Sequence, residues 1–467
     1  MTQQKAGLLG GASPEEHPHG ATADRAVSDA ATAGPATAGP ATADPATADP
    51  ATADPAASGP AVPRPARAAG LREAWAASWS TRKSLAAIWT VWVLTRIGMV
   101  YLLVQDDIGV SNVSAEVEYL YPLWSERLTD GSYPVGDVTW QYPPGAGLLF
   151  LFPSLLPFLD YFAAFLVLTL AADAVVTLAL ARPGRRLAGA WLWTAGLALL
   201  LNLPHGRFDI QVTALAVLAL LAGRRHPRAG GAFAALGALV KVWPLLTLVG
   251  TERGRTSRNA WRSAAVTAGA LLAFLALAFR HSFDFLLQQG ARGVQIESMG
   301  GTALSLMRAS GMPIGIEVRY GAIEFVGAHV ATVTQLSLMA TAAAFGWLML
   351  WRGRASRWTE ATPFDAALAA ILLFTVTSRV ISPQYMVWLL GLAAVCLTSR
   401  HTTQRPVAWL LLAASAVTAL VFPTYYQEVM LGTTLGNTLM VVRNSLLLAA
   451  TLVSCHHLWR ATAKDPA

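Results

Sequence analysis

From Leu85 onward the chain repeats one pattern: an apolar run, a short basic or polar break, and another apolar run. A membrane-spanning helix needs roughly 20 mainly apolar residues. On that scale the runs predict helices near 85–105, 160–181, 188–203, 209–222, 263–280, 327–351, 364–379, 384–398, 405–422 and 439–459. A shorter apolar piece, 143–158, follows Pro143 and Pro144 and reads as an interfacial or partly inserted helix. The run 229–250 lies between two basic breaks, so it must enter and leave on the same side, and it carries Lys241 and Pro244 near its centre. A pair of short or re-entrant helices meets that parity, because broken helices are tolerated where they line a cavity. The expected fold is an all-α polytopic membrane protein with ten to twelve crossings.

The N-terminal part has no such pattern. Ala31 to Pro55 is five copies of Ala-Thr-Ala-Gly/Asp-Pro. Small side chains and frequent proline bury no core, so residues 1–70 are expected to be a disordered spacer, with the membrane domain occupying 71–467. No apolar segment of the signal-peptide type precedes the repeats.

Composition narrows the class. The 467 residues are 54% hydrophobic and only 13% charged, against about 25% charged in soluble proteins. An ordinary soluble enzyme, a coiled coil and a nucleic-acid binder are excluded on that ground. Two cysteines, Cys396 and Cys455, exclude a disulfide framework, and their apolar surroundings suggest buried thiols. The net charge of +7 then reads as topology, since cytoplasmic loops collect Lys and Arg. The basic breaks around Arg82, Arg185, Arg225, Arg255, Arg354 and Arg400 are expected inside, with the N-terminus. Two long loops, 106–142 and 281–327, and the short loops at 204–208, 378–384 and 423–438 are then outside.

These outer loops hold the unusual polar residues. The first has seven acids, among them Glu116, Glu118 and Asp137, against one base, Arg127. Any single acid there is a solvated loop residue on the plain reading. On the sharper one, a carboxylate is a general base aimed into an outer cavity. The interleaved aromatics, Tyr119, Tyr121, Trp124, Tyr133, Trp140 and Tyr142, suit stacking on sugar rings and equally suit an interfacial belt. His205, Arg207 and Asp209 fall within five residues, either as a functional cluster or as an Arg–Asp pair closing a tight loop. Lys241 interrupts an apolar run and needs a carboxylate, a phosphate or water as partner, unless it snorkels from a helix end. Arg379 is basic on the side where topology asks for no base, and either binds phosphate or pairs with a loop acid. Arg280, His281, Arg292 and Arg319 are weaker phosphate candidates. There is no P-loop, dinucleotide fingerprint, His-Glu-x-x-His or Cys-x-x-Cys. No cofactor is firmly implied. The loop acids are able to hold a divalent cation with water, but no spacing demands one, and no metal ligands are assigned.

Four segments, in order, resemble a known family. They are Glu116…Tyr121…Trp124…Asp137…Trp140-Gln-Tyr-Pro-Pro144, His205-Gly-Arg-Phe-Asp-Ile-Gln211, Ala229-Gly…Lys241-Val-Trp-Pro244 and Ser382-Pro-Gln-Tyr-Met-Val-Trp388. Together they are similar to the polyprenyl-phosphate-mannose-dependent mannosyltransferases, glycosyltransferase family 87 of the GT-C fold, over roughly Ile88 to Trp459. The resemblance implies a GT-C-like helical bundle in a bacterial-type plasma membrane with its site on the outer face. It implies a lipid-linked donor, polyprenyl-phosphate mannose, a glycolipid or glycan acceptor, and inversion at the anomeric carbon. Glu116 stands where the family has its catalytic aspartate, a departure of one methylene, with Glu118 and Asp137 as alternates. Lys241, Arg207 and Arg379 are the cations assigned to the donor phosphate. Tyr121, Trp140, Gln141, Tyr142, His205, Asp209, Gln384 and Tyr385 are assigned to substrate. A transporter or flippase of lipid-linked precursors is the competing reading. It predicts paired mid-membrane charges and two related halves, and the helical region has no such internal repeat.

Overall fold

The computed structural model describes residues 64–110, 113–288 and 292–463. The pentapeptide repeats, expected as a disordered spacer, lie outside the described residues. Helix α1 (Arg64–Gln105) starts inside the segment assigned to that spacer. Every predicted apolar run is helical. In chain order they are α1, α4 (Tyr161–Leu180), α5 (Ala188–Ala198), α6 (Asp209–Gly223), α8 (Arg255–Ala278), α11 (Val330–Arg354), α12 (Thr362–Thr377), α13 (Tyr385–Leu397), α14 (Arg405–Ala419) and α16 (Thr434–Thr462). The largest differences are at two starts: α1 begins well before the expected residue 85, and α8 begins eight residues early, in the basic stretch ahead of its apolar run. Side-chain caps set some starts. Asp160 accepts from Ala163 N at 2.9 Å before α4, and Thr433 accepts from Gly436 N at 3.2 Å before α16.

Length divides these helices into two kinds. Among the described residues, six segments are long and apolar enough to cross a membrane: Arg82–Gln105, Tyr161–Leu180, Arg255–Ala278, Val330–Arg354, Arg405–Thr424 and Thr434–Thr462. In α8 and α11 only 17% of the most apolar stretch is buried, so their side chains are left for lipid. Helices α6, α12 and α13 are shorter, 13 to 16 residues. They are wrapped by neighbours instead, and α13 is buried from Met386 to Cys396. A helix enclosed by protein does not have to cover the hydrocarbon thickness with its own turns, because its end groups find partners in other segments. Small residues permit the packing. A Cβ on Gly391 would collide with Thr213 of α6, and one on Gly231 with the Ala260 carbonyl of α8. Both cysteines are free, Cys396 buried and Cys455 half-buried.

The connecting segments are more structured than plain loops. The first contains a π-type turn, Glu116–Leu120, running directly into α2 (Tyr121–Thr129). The piece expected at 143–158 is α3 (Gly145–Leu151) with a 3₁₀ extension to Leu155. The expected hairpin at 229–250 is α7 (Pro227–Val240) followed by a 3₁₀ turn, Trp243–Leu248. Pro244 has no N–H to offer Val240, which stops α7 there. The chain then folds back until Pro244 touches Gly237.

The second long connection departs from an all-helical expectation. It holds α9 (Phe285–Gln288), β1 (Val294–Gln295), α10 (Met299–Ala309), β2 (Ile314–Arg319) and β3 (Ala322–Gly327). The strands pair antiparallel in the order β1–β3–β2, with Gln295 opposite Glu324 and Ile316 opposite Phe325. The β2–β3 turn uses Tyr320 (φ 54°) and Gly321 (φ 69°), the double positive φ of a two-residue hairpin. Helix α15 (Tyr426–Leu431) sits in the last connection.

Candidate functional site

One cavity of about 570 Å³ is enclosed by these connections and by the ends of α7 and α13, within the usual range for small-ligand sites of about 300–1,000 Å³. Its wall from the first half of the chain carries Glu116, Trp124, Gln141, Tyr142, Arg207, Lys241 and Trp243. From the second half of the chain the lining includes Arg292, Gln295, Glu297, Tyr320, Gln384, Tyr385 and Tyr426.

Two ion pairs build the first wall. Arg207 leaves a 3₁₀ turn, Leu203–Gly206, in extended conformation (φ −142°, ψ 154°). Its guanidinium reaches Glu116 at 3.2 Å and donates to the carbonyls of Val113 and Gly206 at 2.7 Å each. Only glycine fits at 206, where a Cβ would lie 2.8 Å from the Val113 oxygen. Tyr121, wholly buried, donates its hydroxyl to Glu116 at 2.8 Å. Burial works against the charge on Arg207, but Glu116, Tyr121, Tyr142 and Asp209 around it together outweigh that and hold its pKa above the ordinary arginine value. Glu116 keeps 31% of its side chain exposed, so it is held from behind and open in front. It also lies in a π-type turn, a feature frequent at functional sites.

The second pair uses helix ends. Asp209 is the first residue of α6 and Lys241 the first after α7. Each charge therefore faces the helix pole that stabilises it. Lys241 Nζ lies 2.6 Å from Asp209 Oδ1, which also accepts from Trp388 Nε1 at 2.5 Å. The ammonium stands 4.3 Å over the Phe208 ring and 5.3 Å over Trp388. Asp209 Oδ2 has no hydrogen-bond partner. The two expectations for this region thus cross over. Arg207 pairs with Glu116 and not with Asp209, and the partner that Lys241 required is Asp209. Three rings complete the wall: Tyr385 stacks on Trp388 at 3.9 Å, and Trp388 on Trp243 at 5.0 Å.

The other residues assigned from sequence lie in different places. Glu118 is exposed and outside the cavity lining. Asp137 is also outside it, accepting from Trp124 Nε1 and Thr139 N at 2.9 Å each. Burial tends to raise the pKa of Asp137, but the hydrogen bonds from Thr139 and Trp124 outweigh it and keep it below the usual carboxylate value. Tyr121 and Trp140 pack in an aromatic cluster behind the wall, with Tyr121 4.6 Å from Phe150 and Trp140 5.0 Å from Trp124. His205 is fully buried, 3.7 Å from Asp173, and does not line the cavity. Gln141, Tyr142, Gln384 and Tyr385 do. Arg379 is not among the lining residues, although its carbonyl accepts from Gln295 N at 3.0 Å. Arg280, His281 and Arg319 are also outside the lining. Among the described residues no group of three or more His, Cys, Asp or Glu side chains gathers to hold a metal ion.

Two features escaped sequence reasoning. Glu297 lines the cavity while almost fully buried, with Arg443 of α16 at 3.1 Å. Burial pushes its carboxyl up to about 7, against the pull of that guanidinium. Arg96 of α1 and Asp173 of α4 form a second buried pair at 2.7 Å. In each case the available signal was a single charge in an apolar run, Arg96, Asp173 and Arg443.

No curated protein sequence gives a significant match to the chain. The family profile described as glycosyltransferase family 87 matches residues 140–383, a little over half of the chain, from Trp140 through Pro383. Glu116 lies ahead of the matched region, whereas Arg207, Lys241 and the β-hairpin lie within it. The cavity that unites these residues therefore belongs to a membrane-helix protein that is a member of glycosyltransferase family 87.

Proposed function

We propose that this glycosyltransferase moves mannose from polyprenyl-phosphate mannose to a glycolipid or glycan acceptor, with inversion, on the outer face of a bacterial-type plasma membrane. The observation that carries the reading is that one cavity contains a partly open carboxylate, Glu116, together with three cations, Arg207, Lys241 and Arg292. An acceptor hydroxyl attacks the anomeric carbon. Its proton passes to the Glu116 carboxylate as the new C–O bond forms, and the bond to the phosphate oxygen breaks. The departing polyprenyl phosphate gains negative charge, which cations fixed in a sheltered site stabilise. Arg292 takes the third place in this set in preference to Arg379, because it lines the cavity, where the Tyr320 carbonyl at 3.1 Å and Glu324 at 4.0 Å hold it. Tyr385, half-buried and stacked on the buried Trp388 and Trp243, is the ring of this ladder open to a sugar. The basic excess on one set of loops supports an inside N-terminus and an outside cavity. A donor with a polyprenyl tail stays in the bilayer, which suits a site walled by membrane helices.

The test uses the full chain in lipid with radiolabelled polyprenyl-phosphate mannose and a membrane-lipid extract. Label is expected in a new glycolipid or glycan. Absence of transfer from any lipid-linked donor, together with movement of the donor between vesicles, would overturn the reading in favour of transport.

A further inference from the structure

Two buried polar side chains of the cavity lining, Gln295 and Glu297, are held with equal care, and no step of the proposed transfer uses them. Gln295 is the last residue of β1, and Glu297 follows two residues later at the entry to α10. Both line the cavity, and both are buried, at 4% and 1% exposure. Glu297 is held from two sides. The Arg443 guanidinium donates to its Oε2 and to its main-chain carbonyl, each at 3.1 Å. Asn444 fixes the same turn through the carbonyl of Ser298 at 3.2 Å. The Gln295 Oε1 has no hydrogen-bond partner, although the residue's main chain is tied to Arg379 and to β3.

Fixing an acid in a buried wall costs free energy that α16 only partly offsets. Such a group is informative about what it faces. A carboxylate accepts hydrogen bonds, and so does an amide oxygen. A phosphate has few or no protons to give them near neutral pH, and Glu297 in its ionised form repels it. A sugar ring presents several O–H donors and no charge. Tyr426, also in the lining, adds a hydroxyl and a ring edge on the same side.

We propose that Gln295 and Glu297 form the acceptor subsite, taking an uncharged, hydroxyl-rich sugar headgroup in the same cavity as the cations assigned to the donor phosphate. The proposal rests on the transferase reading above and narrows its acceptor to a neutral glycosyl group, excluding one phosphorylated at the entering end.

The test measures two bindings separately on the full chain in detergent micelles. Methyl α-mannopyranoside and mannose 6-phosphate are the acceptor probes, read by saturation-transfer NMR. Radiolabelled polyprenyl-phosphate mannose is the donor probe, read by scintillation binding. The wild type is expected to give a signal with the neutral glycoside and a weaker one with the sugar phosphate. Glu297→Gln and Gln295→Leu are each expected to weaken glycoside binding roughly fivefold or more, as loss of a charge-assisted or amide hydrogen bond implies, with donor binding unchanged. Glu297→Gln keeps the shape of the contact with Arg443. Gln295→Leu removes an amide oxygen that has no partner in the fold, so it carries the test even where the other variant folds poorly. Equal or tighter binding of the sugar phosphate, no glycoside signal from the wild type, or full binding by both variants would overturn the subsite while leaving the donor reading intact. Glycoside binding that depends on these two residues, in a protein that binds no lipid-linked donor, would keep the subsite and overturn the donor reading.

Discussion

Two buried ion pairs, Arg96–Asp173 and Arg207–Glu116, differ in how completely they are enclosed. In the first, both side chains are at most 3% exposed. Asp173 accepts from Arg96 Nε at 2.7 Å, from Arg96 Nη2 at 3.2 Å and from Trp193 Nε1 at 2.7 Å. The remaining reach of Arg96 goes to the Thr194 carbonyl at 2.7 Å. Three helices, α1, α4 and α5, are thereby tied, and no solvent or ligand has access. In the second, Arg207 is anchored by two backbone carbonyls and by Glu116, while Glu116 keeps a third of its side chain open. A saturated pair is a fastening. A pair with one open face leaves a charged atom for chemistry.

That difference is broken most forcefully at Asp173. Replacing it with Ala leaves Arg96 charged among apolar helices, and loss of one partner of a buried pair costs about 3–5 kcal/mol. Thermal unfolding in micelles is expected to show a large drop for Asp173→Ala and little change for Glu116→Gln; similar stabilities would erase the distinction. The second effect is on rate. Glu116→Gln keeps the packing of its neighbours but removes the proposed base, so transfer is expected to fall about 10²–10⁴-fold while labelled donor still binds. Full activity in that variant would move the base to Glu118 or Asp137. The smallest effect sharpens the role of the other cavity pair. Lys241→Ala is expected to weaken donor binding about 10- to 100-fold, as loss of one hydrogen bond to a charged group implies. Since that change also strands Asp209, the Lys241→Met, Asp209→Asn double variant separates the two causes. Unchanged donor affinity in both would reduce Lys241 to a structural partner of Asp209.

Much of the helical framework was legible because a lipid environment imposes a simple rule. Ten apolar runs were expected as helices, and ten helices occupy them. The hairpin around Pro244 was legible for a similar reason, since a proline inside an apolar run and basic breaks at both ends leave few solutions. What misled was length. Helices α5, α12 and α13 stop short of the expected ends, α5 by the most, because enclosure by neighbours, and not lipid thickness, sets where they finish. The β-hairpin was invisible to a hydropathy reading. Its six-residue strands are only partly buried and stand in a loop whose mixed polarity carries no helical period.

The site divides along the same line. By itself the sequence determined which residue types were anomalous: an ammonium at 241, a dense polar run at 205–209 and an acidic first loop, because a charge in an apolar context is costly wherever the chain goes. It did not determine who pairs with whom. Glu116 meets Arg207 across 91 positions, Asp209 meets Lys241 across 32 and Glu297 meets Arg443 across 146. Only the tertiary structure decided those partners, because each pair is made by separate elements whose approach depends on how the helices pack. The same packing left Glu118, Asp137, His205 and Trp140 outside the cavity lining and brought Arg292, Gln295 and Glu297 to its wall.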